Sequence, residues 1–327
     1  MVDKNLGFSL WLDFVERDYL KNAFNTLIEK GIINGATSNP SIFASAITTS
    51  PAYTEQLRTL EGKSPKEKYE ALAIVDIRTA AQALRGCYDE GSDGYISIEV
   101  DPFLSNDTEA TVAEGIRLFG EIGEPNVMVK VPATEAGYAA MTALMAQGIS
   151  VNATLIFSPA QAEKCIEAMR AGLSQTQERV DGVISVFVSR FDRLLDEKLA
   201  SAGIEPAKVG NLNAAQIYNL IEHASLPNVR TLFASTGVKG DALPSDYYIR
   251  ELLAAHAINT APLATIESYI EAPSKEPKLP IATGAIEAYF ATVEEAGVDM
   301  DEVYSLLLND GLVAFEEAFA NMLESIQ

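Results

Sequence analysis

Apolar residues recur along this chain in two rhythms that take turns. Short β-like runs, in which successive side chains point to opposite faces, lie at Phe8–Phe14 (FSLWLDF), Gly35–Ile42 (GATSNPSI), Tyr95–Asp101 (YISIEVD), Asn126–Ala133 (NVMVKVPA), Val151–Phe157 (VNATLIF), Gly182–Ser189 (GVISVFVS) and Arg230–Thr236 (RTLFAST). A weaker eighth lies near Thr260–Glu267. In the second run Asn39-Pro40 bends the chain out of the strand. Helical stretches separate the runs: Glu16–Lys30, a long region over about 52–90, then 108–121, 135–147, 159–173, and helices near 191–202 and 213–223. The segment 270–280 (IEAPSKEPKLP) reads as a surface loop. In the tail, 300–326, Val303, Leu306, Leu307, Phe315, Phe319, Met322 and Leu323 fall at the spacing of an amphipathic helix. Packing against its own domain is a plainer use of that face than a dedicated partner site.

Strands alternating with helices predict parallel pairing through crossover helices. Seven or eight such units in about 250 residues suit a (β/α)8 barrel. The expectation is an α/β chain forming one barrel domain over 1–327, with additional helices that include a C-terminal one. A doubly wound open sheet is the rival, and the absence of any G-x-G-x-x-G or P-loop after a strand weighs against it.

Composition narrows the function. Of 327 residues, 46 are acidic and 24 are Lys or Arg, a formal charge of −22. Such a surface repels phosphodiester backbones and anionic membranes, so neither nucleic acid nor membrane is an expected partner. A small anionic substrate would need a local cluster of donors. Cys87 and Cys165 have no metal-ligand spacing and are too few for a disulfide framework, and His223 and His256 stand alone. No metal site is expected. No apolar run approaches the ~18 residues that span a bilayer, and the N-terminus lacks the marks of a signal peptide. A cytoplasmic chain, monomeric or homodimeric, is the expectation.

The strand phase then selects candidate chemistry. Val127, Val129 and Val131 share one face, which leaves Met128 and Lys130 on the other. Lys130 is the one lysine enclosed by a strongly apolar strand. The same rule turns Ser97, Glu99 and Asp101 inward, groups Asp13 with Ser9 and Trp11, sets Asn152 and Thr154 opposite Val151, Ala153 and Leu155, and pairs Thr37 with Asn39, Ser185 with Phe187, and Phe233 with Ser235. Barrel interiors are normally filled by Val, Ile and Leu, and buried ionisable groups are costly unless paired or functional. Desolvation favours the neutral form of a buried amine, and a neutral amine attacks ketones and aldehydes. The protonated Schiff base that results is an electron sink for breaking a neighbouring C–C bond. Asp13 and Glu99 can divide the proton transfers, with Thr154 holding a water and Asn39, Asn152 and Ser185 bonding polyol hydroxyls. Each residue taken alone has an ordinary reading: Lys130 as a salt-bridged core lysine, Asp13 as a helix cap, Asn39 as a turn former, Arg190 as a partner of Asp192. Their joint placement is what singles them out.

The segments WLDF, GATSNPSIF, SIEVD, VMVKVPAT and VNATLIFSPAQA resemble those of the transaldolase family, and ISVFVSR and LFASTGVK fit its later strands. The match runs over about 8–240 and is sparser beyond. The resemblance implies a (β/α)8 barrel without metal or organic cofactor. It implies reversible transfer of a dihydroxyacetone unit from sedoheptulose 7-phosphate to glyceraldehyde 3-phosphate, giving erythrose 4-phosphate and fructose 6-phosphate, within the non-oxidative pentose phosphate pathway. By position, Lys130 resembles the Schiff-base lysine and Asp13 the group that handles the C4 hydroxyl proton. Glu99 and Thr154 resemble the pair that relays protons through a water. Thr37, Asn39, Asn152 and Ser185 resemble contacts to the substrate, Phe187 lies beside the donor chain, and Arg190 and Ser235 resemble phosphate contacts. Many members carry an arginine two residues after the serine matching Ser235, where this chain has Gly237, so Lys239 is expected to serve instead. The alternatives are a class I aldolase that releases free dihydroxyacetone, acting on fructose 6-phosphate or a related sugar phosphate, and a non-catalytic sugar-phosphate-binding barrel.

Overall fold

Eight parallel strands pair in sequence order and close on themselves: β1 Ser9–Asp13, β2 Gly35–Thr37, β3 Ile96–Glu99, β4 Val127–Pro132, β5 Ser150–Ile156, β6 Gly182–Phe187, β7 Val229–Ala234 and β8 Ala257–Ala261. Closure is made by β1 against β8, in register from Ser9↔Ile258 to Leu12↔Ala261. This is the expected barrel, seen in a computed structural model that describes residues 2–326. Among these no helix is long and apolar enough to cross a membrane.

Strand alternation sorts the side chains into two cores. Leu10, Leu12, Ile96, Ile98, Val127, Val129 and Val131 point outward and are buried under the helices. Trp11, Met128, Val183, Leu232 and Ile258 point inward and, with Tyr95 just before β3, fill the lumen toward its N-terminal end. Trp11 fits there because its neighbour on β2 is glycine: a Cβ on Gly35 would lie 2.5 Å from the indole. Below this floor Arg230 clamps the rim. It is ion-paired with Asp93, and its Nη2 donates to the carbonyls of Gly7 (2.9 Å) and Ala257 (3.1 Å). Asp93 also accepts from Trp11 Nε1 at 2.9 Å.

At the opposite end the crossover helices begin on side-chain caps. Asp107, Thr134 and Ser158 accept from the N–H groups of Ala110, Gly137 and Gln161 and fix the loops that follow β3, β4 and β5. Asn39 caps the helix Pro40–Thr49 in the same way after β2. The expected run through Ile42 therefore stops at Thr37, since proline favours the first helical turn. The expected eighth strand also moves. β8 ends at Ala261, Pro262 stops the ladder, and Leu263–Glu271 is a helix. The stretch 52–90 is broken around Gly62 into short turns and the helix Pro65–Asp89, and Glu16–Lys30 is broken at Asn22. Helices Tyr247–Glu251 and Thr283–Glu295 were not anticipated.

Three facing assignments change. Phe233 points outward against Tyr218, and Leu232 and Ala234 face the lumen. Leu155 turns inward because β5 bulges between Ala153 and Ile156, with φ of 60° at Leu155. Asp101 lies past the end of β3 and pairs with Lys66 at 2.5 Å outside the barrel. The tail forms the helix Met300–Ser325, which lies against its own barrel. Phe319 packs edge-on against Tyr69 (5.4 Å between centroids), and Tyr304 donates to Asn213 at 3.0 Å.

The fit of Trp11 against Gly35 predicts that Gly35→Ala destabilises the fold by about 1–3 kcal/mol through overpacking. Urea unfolding should show a lower midpoint with unchanged slope. An unchanged midpoint would show that the ring has room to move.

Candidate active site

Above the Trp11 floor the lumen turns polar. Ser185 Oγ donates to Asn152 Oδ1 at 2.6 Å, and Asn152 Nδ2 donates to Ser97 Oγ at 3.0 Å, all fully enclosed. The next layer holds the ionisable groups. Register places Glu99 beside Lys130 and Asp13 beside Thr37. Lys130 and Glu99 are 6% and 7% exposed, so both charges are removed from bulk water. Lys130 Nζ lies 3.4 Å from Glu99 Oε2 and donates to the Ser38 carbonyl at 3.2 Å. At 3.4 Å the contact with Glu99 is an ion pair without hydrogen-bond alignment, and neither Glu99 oxygen has a hydrogen-bond partner. Thr154 Oγ1 is likewise buried and unpartnered. On the other side Thr37 Oγ1 is 2.6 Å from Asp13 Oδ1 and 2.7 Å from Thr260 Oγ1.

These surroundings shift both carboxyls in one direction. Burial pushes Glu99 up to about 7 against the pull of the Lys130 charge. Burial also raises Asp13, opposed by Lys130 and by the Thr37 hydrogen bond. Two carboxyls raised by burial thus lie with an amine at the C-terminal strand ends, the face where barrels of this kind carry their chemistry.

Lys130 opens into a cavity of about 200 Å³. Asp13, Thr37, Asn39, Thr154, Ser185, Phe187, Arg190 and Ser235 share its lining. Glu99 and Asn152 do not reach it: Glu99 is paired with Lys130, and Asn152 lies beneath Ser185. Asn39 spends its Oδ1 on the Ile42 N–H at 3.0 Å, so its capping role and its place at the cavity coexist. Ser235 arrives by a left-handed turn, φ 55°, rather than by strand alternation. Lys239 is not brought to the cavity. After Ser235 the chain is tied back by Thr236 Oγ1, which donates to the Thr260 carbonyl at 2.7 Å, and a Cβ at Gly237 would lie 3.2 Å from Pro262, which leaves Lys239 exposed. Arg190 does not pair with Asp192, whose carboxylate accepts from the Gly210 N–H (2.9 Å) and Tyr248 (2.8 Å). Among the described residues no carboxylate lies within 4.0 Å of its guanidinium, which rests 5.2 Å from the centre of the Phe187 ring. Such an unpaired, half-buried cation suits an anionic group of a ligand.

Four lining residues lie outside the expected set. Ser41 follows Pro40 in the first helical turn, Ala234 takes the inward phase on β7, Thr260 lies on β8, which runs ahead of the expected eighth strand, and Phe315 comes from the C-terminal helix. Ala234 and Thr260 carry a sequence signal, since correct phasing of β7 and β8 turns both inward. A larger cavity, about 550 Å³, lies at the N-terminal mouth. Its floor groups are consumed by one another, Arg230 with Asp93 and Tyr95 with Asp181 at 2.6 Å, so the convergent acid, base and nucleophile lie in the smaller one.

A family model described as transaldolase/fructose-6-phosphate aldolase matches residues 10–326. A protein named transaldolase from Campylobacter jejuni subsp. jejuni (strain 81-176) is 45% identical over 331 aligned positions, covering 98% of this chain and 99% of that one. A transaldolase from Helicobacter pylori (strain 26695) is 44% identical, covering 97% and 99%.

The raised Glu99 carboxyl has a consequence for stability. Its ordinary value is 4.5 and its folded value about 7, so between these the folded state holds more protons than the unfolded one. Its contribution to stability is therefore lost as pH rises from about 4.5 to about 7. Glu99→Gln should flatten that decline in urea unfolding followed across the window, whatever it does to absolute stability. An identical slope in the two proteins would mean that Glu99 titrates normally.

Proposed function

The chain belongs to the transaldolase/fructose-6-phosphate aldolase family, and from that premise we propose that it transfers a dihydroxyacetone unit from sedoheptulose 7-phosphate to glyceraldehyde 3-phosphate through a Schiff base on Lys130. The supporting observation is the Lys130 amine itself, held between two raised carboxyls and open to a closed-sided cavity. In this reading Nζ adds to the C2 carbonyl of the donor. Glu99 moves the protons of carbinolamine formation and dehydration through a water held by Thr154; the free hydroxyl of Thr154 and the unpartnered carboxylate oxygens of Glu99 suit that role. Asp13 takes the proton of the C4 hydroxyl. The C3–C4 bond breaks, its electron pair is stored as the enamine, and erythrose 4-phosphate leaves. The enamine carbon then attacks the acceptor aldehyde, Asp13 returns its proton to the new alkoxide, and hydrolysis frees fructose 6-phosphate and the amine.

Thr37, Asn39 and Ser185 bond the hydroxyls in this scheme, with Asn152 holding Ser185 in place. The phosphate lies against Arg190 and Ser235, with no part for Lys239. Every step is proton transfer, carbon–nitrogen chemistry, or the C–C cleavage and formation that the Lys130 enamine carries. We place the reaction in the cytoplasm, with phosphorylated sugars as substrates.

Coupled assays with the four sugar phosphates test the reading. Lys130→Met should fall to background, and Asp13→Asn should lose about 10²–10⁴-fold in rate, the usual contribution of one acid–base group. The wild-type rate of Schiff-base formation should drop below pH 7 as Glu99 protonates, and Glu99→Gln should lack that limb. Retained turnover in Lys130→Met would end the proposal.

A further inference from the structure

We propose that Phe315, carried by the C-terminal helix, determines whether the bound three-carbon unit is transferred to an aldehyde or lost to water; this rests on the transfer reading above. An enamine on Lys130 has two fates. Its nucleophilic carbon can form a C–C bond to the acceptor, whose oxygen then takes a proton from Asp13. Alternatively that carbon takes a proton delivered by water. The iminium so formed is hydrolysed by a second water, which frees dihydroxyacetone and restores the amine. Transfer therefore requires water to be scarce at that carbon while the acceptor is present.

Most of the barrel wall around the amine does not supply that dryness. Asp13, Thr37, Thr154, Ser185 and Thr260 are all polar and attract water. Beside Ala234, the apolar lining comes from Phe187 on β6 and Phe315 on the C-terminal helix. The Phe315 ring centre lies 5.6 Å from Lys130 Nζ, close enough to cover atoms one or two bonds beyond the nitrogen. A ring face at that distance also suits the iminium cation.

The helix is pressed onto the mouth on both sides of this ring. Gly311 lies one turn earlier on the same face. A Cβ there would fall 2.9 Å from Leu155 Cδ2 and 3.4 Å from Arg190 Nη1, so a bare backbone makes this closeness possible. Leu155 meets it because the bulge of β5 turns that side chain inward. One turn later Phe319 is wedged between Tyr69 and Phe103, at 5.4 and 6.2 Å between ring centres. Gly311, Phe315 and Phe319 thus form one seam, with the middle residue over the nucleophile.

Fructose 6-phosphate serves as donor, and two rates are compared: dihydroxyacetone released without acceptor, and unit transferred to erythrose 4-phosphate. The ratio of release to transfer should rise several-fold in Phe315→Ala and return most of the way in Phe315→Leu. Gly311→Val keeps the ring but lifts the helix, and should raise the ratio too. General structural damage lowers both rates together and leaves the ratio unmoved. Circular dichroism identifies which variants fold, and whichever of Phe315→Ala and Gly311→Val folds decides. An unchanged ratio in a folded variant that still transfers overturns the role of Phe315. Wild-type release as fast as transfer would instead overturn the transferase reading on which it rests.

Discussion

An amine and a carboxyl 3.4 Å apart, both withdrawn from solvent inside a cylinder of apolar strands, set the terms for the rest of this molecule. Removing two such groups from water costs several kcal/mol each, and their mutual attraction offsets this only with good geometry and further partners. Here the geometry is incomplete: Lys130 has one carbonyl besides Glu99, and both Glu99 oxygens lack a hydrogen bond. A hydrophobic pair would fit the same space at lower cost. The arrangement makes sense as one that a substrate and its water complete.

The other parts of the barrel serve this layer. Trp11 and the Arg230 clamp close the lumen from below, so the polar groups above open toward one mouth only. Capped loops after β2, β3, β4 and β5 hold the strand ends that carry Thr37, Glu99, Lys130 and Thr154. The C-terminal helix approaches from above until its backbone touches Leu155. The left-handed residues Leu155 and Ser235 both lie at this mouth, where backbone strain serves positioning.

Much of this was legible in the chain, and the limits have physical reasons. A period of two places Lys130, Glu99 and Asp13 inward wherever a strand is regular, and regular strands come in the expected order. The rule fails where the backbone departs from the ladder. A bulge reverses Leu155, a left-handed residue rather than strand phase delivers Ser235, and Phe233 follows the opposite phase from the one expected. Lys239 carries a positive charge and lies near Ser235 in sequence, but a hydrogen bond from Thr236 and packing against Pro262 carry the chain away. Phe315 lies 185 positions from Lys130 in the sequence, and only the docking of the last helix brings it to the amine. Periodicity correctly marked that helix as amphipathic but carries no information about where it lands.

The central claim is that the Lys130 amine bonds covalently to a ketose. Borohydride reduction in the presence of fructose 6-phosphate, followed by digestion and peptide mass mapping, tests it most directly. The account predicts a single stable adduct of one three-carbon or six-carbon unit on the peptide that contains Lys130. Rapid turnover with no adduct, or with the adduct on another lysine, would contradict it.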